Sequence, residues 1–600
     1  MVSFTTRPEI TGTFGVAAST HWIASSVGFG VLEKGGNAFD AAAAMGFVLQ
    51  VVEPHLNGPG GEFPAITYSA KDDKVQVLCG QGTAPQGATI EKYRDEGIDL
   101  IPGSGLLATV IPGAFDGWML MLRDQGTMTL REVLEPAIYY ARHGHPVLER
   151  VSLAIQSLEE LFTKEWPSSA AVWMPGGKAP APGEMFRNPD LADTWERLLS
   201  ESESVTGREA QIEKARDCFY RGFIAEKIGA YLSEACVMDG TGTRRKGVLT
   251  AEDMAGWSAH WEDPLTLDYN NWTVCKTGPW SQGPVLLQNL QLLKQAGIAD
   301  MDLMGPDFIH TVIEAMKLSY ADREAYYGDP NFFDIPMDEL LSADYAAKRA
   351  ALIGTAASLE QRPGQIKGLE HLAQAAIDRA SGVGKHAVGA DAGEPTMEHL
   401  TKRANRRGDT VHIDVIDRWG NMVSATPSGG WLQSSPIIPG LGFALNSRAQ
   451  MFWLDEGLPS SLAPGHRPRT TLTPSLALRD GKPHLAFGTP GGDQQDQWQL
   501  IFFLRLVHGQ QNMQEVIDAP LFHSQHFTGS FYPRQAIPGR MMIEPSAGEA
   551  TIADLRARGH DVDVSDPWSI GRLTAAARDP DGLLRAAATP RLMQAYAVGR

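Results

Sequence analysis

Six hundred residues exceed one ordinary core, since domains run to roughly 100–200 residues and single cores rarely pass about 250–300, so the length points to several domains or one large composite fold. With 43% hydrophobic and 20% charged residues the chain is not disordered, and 71 Asp and Glu against 52 Lys and Arg, a formal net charge of −19, argue against nucleic acid as a partner. The longest apolar runs, residues 45–52 and 500–507, fall far short of the roughly 20 residues of a bilayer span, and residues 1–9 carry neither a basic nor an apolar leader pattern; a cytoplasmic location without a membrane partner is expected.

Taken in chain order, Asn37 after Gly35-Gly36 reads as the N-cap of an alanine-rich helix with Asp40 in its first turn. Residues 66–69 and 75–79, flanking Lys71-Asp72-Asp73-Lys74, predict a β-hairpin. From about 114 to 350 helical spacing dominates, as in Phe308, Val312, Ala315, Met316 and Tyr320. Residues 354–408 mix Gly, Ala, Gln and charge, and predict an exposed, partly mobile connection with short helical pieces. Strand patterns then follow at 410–416 and 422–426 around Arg418-Trp419-Gly420-Asn421, and at 475–478 and 484–487 around Asp480-Gly481.

Cys79, Cys218, Cys236 and Cys275 form no CxxC pair, which predicts buried small hydrophobes rather than a zinc site or a disulfide scaffold. His143 with His145, and His523 with His526, lack a convincing third ligand, so no metal is expected. Gly28-Phe29-Gly30 lacks the third glycine of a dinucleotide fingerprint, and no cofactor is expected.

Two features carry chemistry. Thr410 opens a strand directly after the long connection. A threonine hydroxyl needs a nearby base, and its own α-amine, with an unperturbed pKa of roughly 7.7–8.0, serves once the Asp409–Thr410 bond is cut. Gly488-Thr489-Pro490-Gly491-Gly492 follows a strand and precedes the helical run 495–507, where backbone N–H groups can meet developing negative charge.

Beyond these, the chain resembles the γ-glutamyltransferase (γ-glutamyltranspeptidase) family of N-terminal-nucleophile hydrolases over nearly its whole length. The residues that carry the likeness are Gly35-Gly36-Asn37-Ala38-Phe39-Asp40-Ala41-Ala42, Glu53-Pro54-His55 with Gly58-Pro59-Gly60-Gly61, Tyr320-Ala321-Asp322-Arg323 with Gly328-Asp329-Pro330, Asp409-Thr410-Val411-His412, Pro464-Gly465-His466-Arg467-Pro468 and Thr489-Pro490-Gly491-Gly492.

The resemblance implies an α+β, four-layer αββα sandwich, made as a proenzyme that cuts itself before Thr410. Residues 1–409, ending in the segment 354–409, and residues 410–600 would stay associated as one composite domain. It implies Thr410 as nucleophile, Gly491 and Gly492 as oxyanion donors, and Ser428 in the place of a second family threonine. The expected partner is a small-molecule acyl substrate.

The substrate pocket departs from the family pattern. The arginine expected after an Ala-Pro pair is missing: Ala84-Pro85 leads to Ile90, with Lys92 and Arg94 as displaced substitutes. The positions that would hold an α-amino group carry Gly430, Arg448 and Met451, while Thr470-Thr471 keeps the hydroxyls of a usual Ser-Ser pair. Arg448 is expected to hold an anionic substrate group. The sequence therefore predicts a hydrolase or acyltransferase on an amide-type acyl substrate with an altered γ-glutamyl pocket. The alternatives are a specialised secondary-metabolism hydrolase, resembling a cephalosporin acylase, an oxamate amidohydrolase or a C–C-bond hydrolase of alkylproline antibiotic pathways, and a non-catalytic binding protein of the same fold.

Overall fold

The computed structural model describes residues 4–382 and 410–600. Two seven-stranded antiparallel sheets form its centre. One runs in the order Ile10–Gly12, Leu584–Ala588, Thr574–Arg578, Lys482–Gly488, Ser475–Arg479, Trp272–Lys276, Leu265–Tyr269. The other runs Tyr596–Gly599, Gly15–Ser19, Ile413–Asp417, Met422–Ala425, Phe63–Ser69, Lys74–Gly80, His260–Glu262.

Side chains alternate between the two faces of each strand, and the alternation sorts the core into layers. Val16, Ala18, Ile66, Val77 and Ile416 of one sheet meet Cys275, Leu476, Ala576 and Ala586 of the other in a middle layer of mostly small residues. Their strand neighbours Ala17, Ala65, Ile413, Val415 and Val423 face outward onto the helices Trp22–Glu33, Ala38–Val52, Ala114–Gln125 and Leu130–His143. Across the molecule, Val274, Ala477, Leu485, Phe487 and Ala575 face the helices Pro284–Gln295, Pro306–Tyr326 and Gln495–His508. The architecture is the expected four-layer αββα sandwich.

Local signals explain several elements. Asn37 accepts from the N–H groups of Phe39 and Asp40 while Asp40 accepts from that of Asn37, so the alanine-rich helix Ala38–Val52 opens on a complete capping box. The three expected hairpins form, with Ile66 opposite Val77, Val415 opposite Val423 and Leu476 opposite Ala486.

One expectation changes and two gain detail. The stretch 114–350 is not wholly helical: Leu265–Tyr269 and Trp272–Lys276 make a hairpin whose turn residue Asn270 has φ +56°. Cys79, Cys218 and Cys275 are buried, but Cys236 is exposed. Finally, residues 354–382 include the expected helical piece, and they are tied to the rest of the molecule. The helix Glu370–Gly382 buries Leu372, Ala373 and Ala376, and Gly364 donates its N–H to Asp322 at 2.7 Å and accepts from the Tyr326 hydroxyl at 2.5 Å. The remainder of that segment, 383–409, including Asp409 of the expected cleavage bond, lies outside the described residues.

Candidate active site

Thr410 lies just before the strand Ile413–Asp417 and is fully buried. Thr410 pairs with Ser428 and Ser428 with Glu62 as isolated antiparallel bridges, so Thr410 and Glu62 each stand directly opposite Ser428 on adjacent stretches of chain at the strand ends. Thr410 Oγ1 is 3.1 Å from Ser428 Oγ, and the Val411 N–H donates to Pro427 O at 3.1 Å. Continuing the alternation, Thr410, His412, Asp414 and Ile416 share the face turned toward the other sheet.

His412 fixes that face. Its Nε2 donates to Asp414 Oδ1 at 3.0 Å, its Nδ1 accepts from the Thr426 hydroxyl at 2.9 Å, and Asp414 Oδ2 accepts from the Thr574 hydroxyl at 2.7 Å. The ring packs on the opposite sheet at Gly488, where a Cβ would fall 2.3 Å from it. This contact ties the strand behind Thr410 to the start of the glycine loop.

In that loop Gly491 has φ +127° and Gly492 φ +54°, values that favour glycine, and a Cβ on Gly491 would strike the Trp498 ring at 2.4 Å. Gly492 opens the helical turn that runs into Gln495–His508. Its carbonyl accepts from Gln282 Nε2 at 3.1 Å, and Gln282 Oε1 accepts from Arg323 Nη1 at 3.0 Å. Arg323 also donates to Asp493 and to Thr528 O, and Asp493 accepts from the Ser530 N–H at 2.8 Å and hydroxyl at 2.6 Å. Burial would raise the Asp493 carboxyl, but Arg323 and Ser530 outweigh it and hold the group below the usual carboxylate range.

Gln282 reaches further: its N–H donates to Thr470 O at 2.9 Å, and Thr470 donates to Trp280 O at 2.9 Å, which joins the threonine pair to the glycine loop. The Thr471 hydroxyl is buried and makes no hydrogen bond. Gln282 and Asp493 escape sequence reading because neither lies in a chemically suggestive motif. Arg323 lies within one, and its role appears only through contacts more than 40 residues away in the chain.

Arg448 does not stand free. Its Nε donates to Glu62 Oε2 at 3.1 Å with Nη2 3.0 Å from the same oxygen, Nη1 points at Met451 Sδ at 3.8 Å, and the guanidinium lies over the rings of Trp431 and Phe531 at 5.3 and 5.9 Å. The expected grip on an anionic substrate is therefore revised, because Glu62 already meets this charge. Burial pushes the Glu62 carboxyl up to about 7, with Arg448 pulling the other way. Gly429, at φ +75°, makes room: a Cβ there would lie 2.1 Å from Glu62 Oε2. Asn446 holds the turn Arg448–Met451 in place, accepting from the N–H groups of Val110 at 2.9 Å and Arg448 at 3.2 Å.

Lys92 and Arg94 are engaged elsewhere, Lys92 with Glu96 at 2.6 Å and Arg94 with Leu454 O at 3.1 Å. His526 uses both ring nitrogens, on Glu360 O and the Gly539 N–H. Among the described residues two groups of ligand-type side chains converge that the sequence does not reveal, Cys79 with His260 and Glu262, and His310 with Glu314 and His560. Each is faced by a protein cation, Arg467 Nη1 at 3.3 Å from Cys79 Sγ and Lys317 Nζ at 2.6 Å from Glu314 Oε1.

Stacked antiparallel sheets between helical layers, with a buried threonine on the inner face beside a glycine loop, define the class of N-terminal-nucleophile hydrolases. A gamma-glutamyltranspeptidase family profile matches residues 24–599, and the chain belongs to that family of enzymes. It is 30% identical over 588 residues to the glutathione hydrolase-like YwrD proenzyme of Bacillus subtilis, covering 97% of this chain and 98% of that one. It is 31% identical over 594 residues to the oxamate amidohydrolase proenzyme of Klebsiella pneumoniae, covering 96% and 97%. Among solved structures, LmbA2991HD is 54% identical with a TM-score of 0.92 over the whole of both chains, and the cephalosporin acylase from Bacillus halodurans is 26% identical with a TM-score of 0.81 over 99% and 97%. Among the described residues no helix is long and apolar enough to cross a membrane.

Proposed function

We propose that the chain is a self-processed hydrolase or acyltransferase in which Thr410 is the nucleophile and the acyl donor is a small amide-type molecule other than a γ-glutamyl compound. The observation that carries the reading is the buried Thr410 hydroxyl 3.1 Å from that of Ser428, two residues before His412, which packs against the start of the glycine loop.

In the proenzyme, the Thr410 hydroxyl attacks the Asp409 carbonyl, the peptide nitrogen leaves as the new α-amine, and water hydrolyses the resulting ester to free residues 1–409 from residues 410–600. In the mature enzyme that amine takes the hydroxyl proton as Thr410 attacks the substrate carbonyl. The N–H groups of Gly491 and Gly492 receive the oxyanion, and the proton passes to the leaving amine. Ser428 orients the nucleophile, and Thr470 and Thr471 supply hydroxyl donors on the substrate side.

The loss of the expected arginine, together with an ion pair where an ammonium would be held, supports a non-γ-glutamyl substrate. Losing each charged hydrogen bond costs about 1.5–3 kcal/mol. Relatives at similar identity include an oxamate amidohydrolase, an acylase and a glutathione hydrolase-like protein, so the pocket residues rather than the relatives carry this choice. Denaturing gels test the processing step: the purified chain is expected to run as two pieces and Thr410→Ala as one. A wild-type chain that stays whole, or a Thr410→Ala chain that splits, overturns the reading.

A further inference from the structure

Arg448 is enclosed by the protein itself. A carboxylate, two aromatic faces and a thioether surround its guanidinium, and this is the chemistry by which proteins hold alkylammonium and guanidinium ligands. Trp431, Met451 and Phe531 pack together as one small buried cluster, so the enclosure is a built unit. It also lies at the reacting end of the molecule. Glu62 is directly opposite Ser428, and Ser428 opposite Thr410, which spaces their Cβ atoms by roughly 4.5–5.5 Å from strand to strand.

We propose that Arg448 is a resident cation that sets acyl-donor specificity: it fills a cation-accepting cage next to the nucleophile, so the enzyme takes acyl groups that carry no ammonium there and rejects those that do. The proposal rests on Thr410 being the acyl-accepting nucleophile. Glu62 Oε2 is taken by Arg448 and only Oε1 is without a hydrogen bond. One remaining acceptor suits a neutral N–H or O–H group. An ammonium there would set two buried cations against a single carboxylate, and burial strengthens their repulsion.

Two p-nitroanilides that differ only by the α-ammonium, glutaryl-p-nitroanilide and γ-L-glutamyl-p-nitroanilide, read the specificity directly. The wild-type enzyme is expected to favour the glutaryl compound at least tenfold in kcat/KM, and Arg448→Ala to narrow or reverse that ratio through a lower KM for the γ-glutamyl compound. Equal or better γ-glutamyl turnover by the wild type overturns the proposal.

A second measurement needs no turnover. Titrating Arg448→Ala with low-millimolar guanidinium chloride is expected to raise its Tm by a few degrees and then saturate. The wild type and the Glu62→Gln/Arg448→Ala double variant are expected to show no such rise. A folded Arg448→Ala chain without it overturns the cage and leaves the Thr410 reading standing, whereas a Thr410→Ala chain that still splits and still hydrolyses overturns the Thr410 reading and with it the specificity assigned to the cage.

Discussion

Ser428 Oγ lies 3.1 Å from Thr410 Oγ1, and the two residues also face each other through a backbone bridge. The bridge sets the separation and the side chains need only their ordinary rotamers to meet. Ser428→Ala keeps the bridge and removes the hydroxyl. Self-cleavage and turnover are both expected to slow by about 10–100-fold, less than the roughly 100–10,000-fold of a general acid–base group, because Ser428 orients the nucleophile rather than taking its proton. Ser428→Thr restores the oxygen and is expected to recover most of the rate. A time course on denaturing gels, run beside an acyl-amide assay, checks both, and an unslowed Ser428→Ala enzyme removes Ser428 from the mechanism.

Thr410 and the glycine pair stand out in the sequence as short motifs whose residue types are chemically suggestive, whereas Ser428 stands out only through the resemblance to the family. The Glu62–Arg448 pair does not stand out, since its members are 386 residues apart and either reads alone as an ordinary charge. The hairpin at Leu265–Lys276 does carry a sequence signal, the alternation Leu265-Thr266-Leu267-Asp268-Tyr269 and the turn Asn270-Asn271, but it is a short interruption in a stretch where helical spacing dominates. The anchoring of residues 354–382 rests on Asp322, which accepts from Gly364 and Tyr345 and pairs with Arg349. The polar, glycine-bearing sequence of that segment gives no hint of the buried carboxylate that holds it.

Gly488 is needed for approach, since its φ is not in the left-handed region. An added methyl group would lie 2.3–2.8 Å from three atoms of the buried His412 ring, which is held between Asp414 and Thr426 and cannot swing aside. Gly488→Ala is expected to cost about 1–3 kcal/mol, the usual penalty of overpacking a core. Because the ring sits two residues after Thr410, turnover should fall further than stability alone accounts for. Urea unfolding beside kcat at a temperature where the variant is fully folded separates the two effects.

Asp329 and Arg467 belong to the two proposed pieces and form a buried pair. Asp329 accepts from the Arg467 N–H at 2.9 Å and from Nε and Nη2 at 3.1 and 2.8 Å, and Arg467 Nη1 reaches Glu262 at 2.5 Å. Removing one partner strands the other charge, which costs about 3–5 kcal/mol in a buried pair. Arg467→Ala should therefore lower the urea midpoint and let residues 1–409 and 410–600 separate at lower denaturant, as size-exclusion chromatography of the cleaved protein would report. Asp329→Asn/Arg467→Met, which removes both charges, is expected to recover part of the loss. A double variant no better than Arg467→Ala would mean that the pair acts through packing rather than charge.

Glu62 sets a pH dependence whose sign follows from its burial. Its carboxyl is raised to about 7 in the folded protein, from an ordinary value near 4.5, because burial disfavours the charge more than Arg448 restores it. Between those two values the folded state keeps a proton that the unfolded chain has released. This contribution is fully present below about 4.5, declines as pH rises and is lost once pH passes about 7, a change on the order of 3 kcal/mol across the window. Glu62→Gln removes the titration and keeps the shape. Its stability relative to the wild type is therefore expected to rise steadily from pH 5 to pH 7 and to level off by pH 8, whatever constant offset the lost charge on Arg448's partner introduces. Urea unfolding of both proteins at pH 5, 6, 7 and 8 measures the difference, and a difference that stays flat across that range would mean Glu62 is ionised throughout.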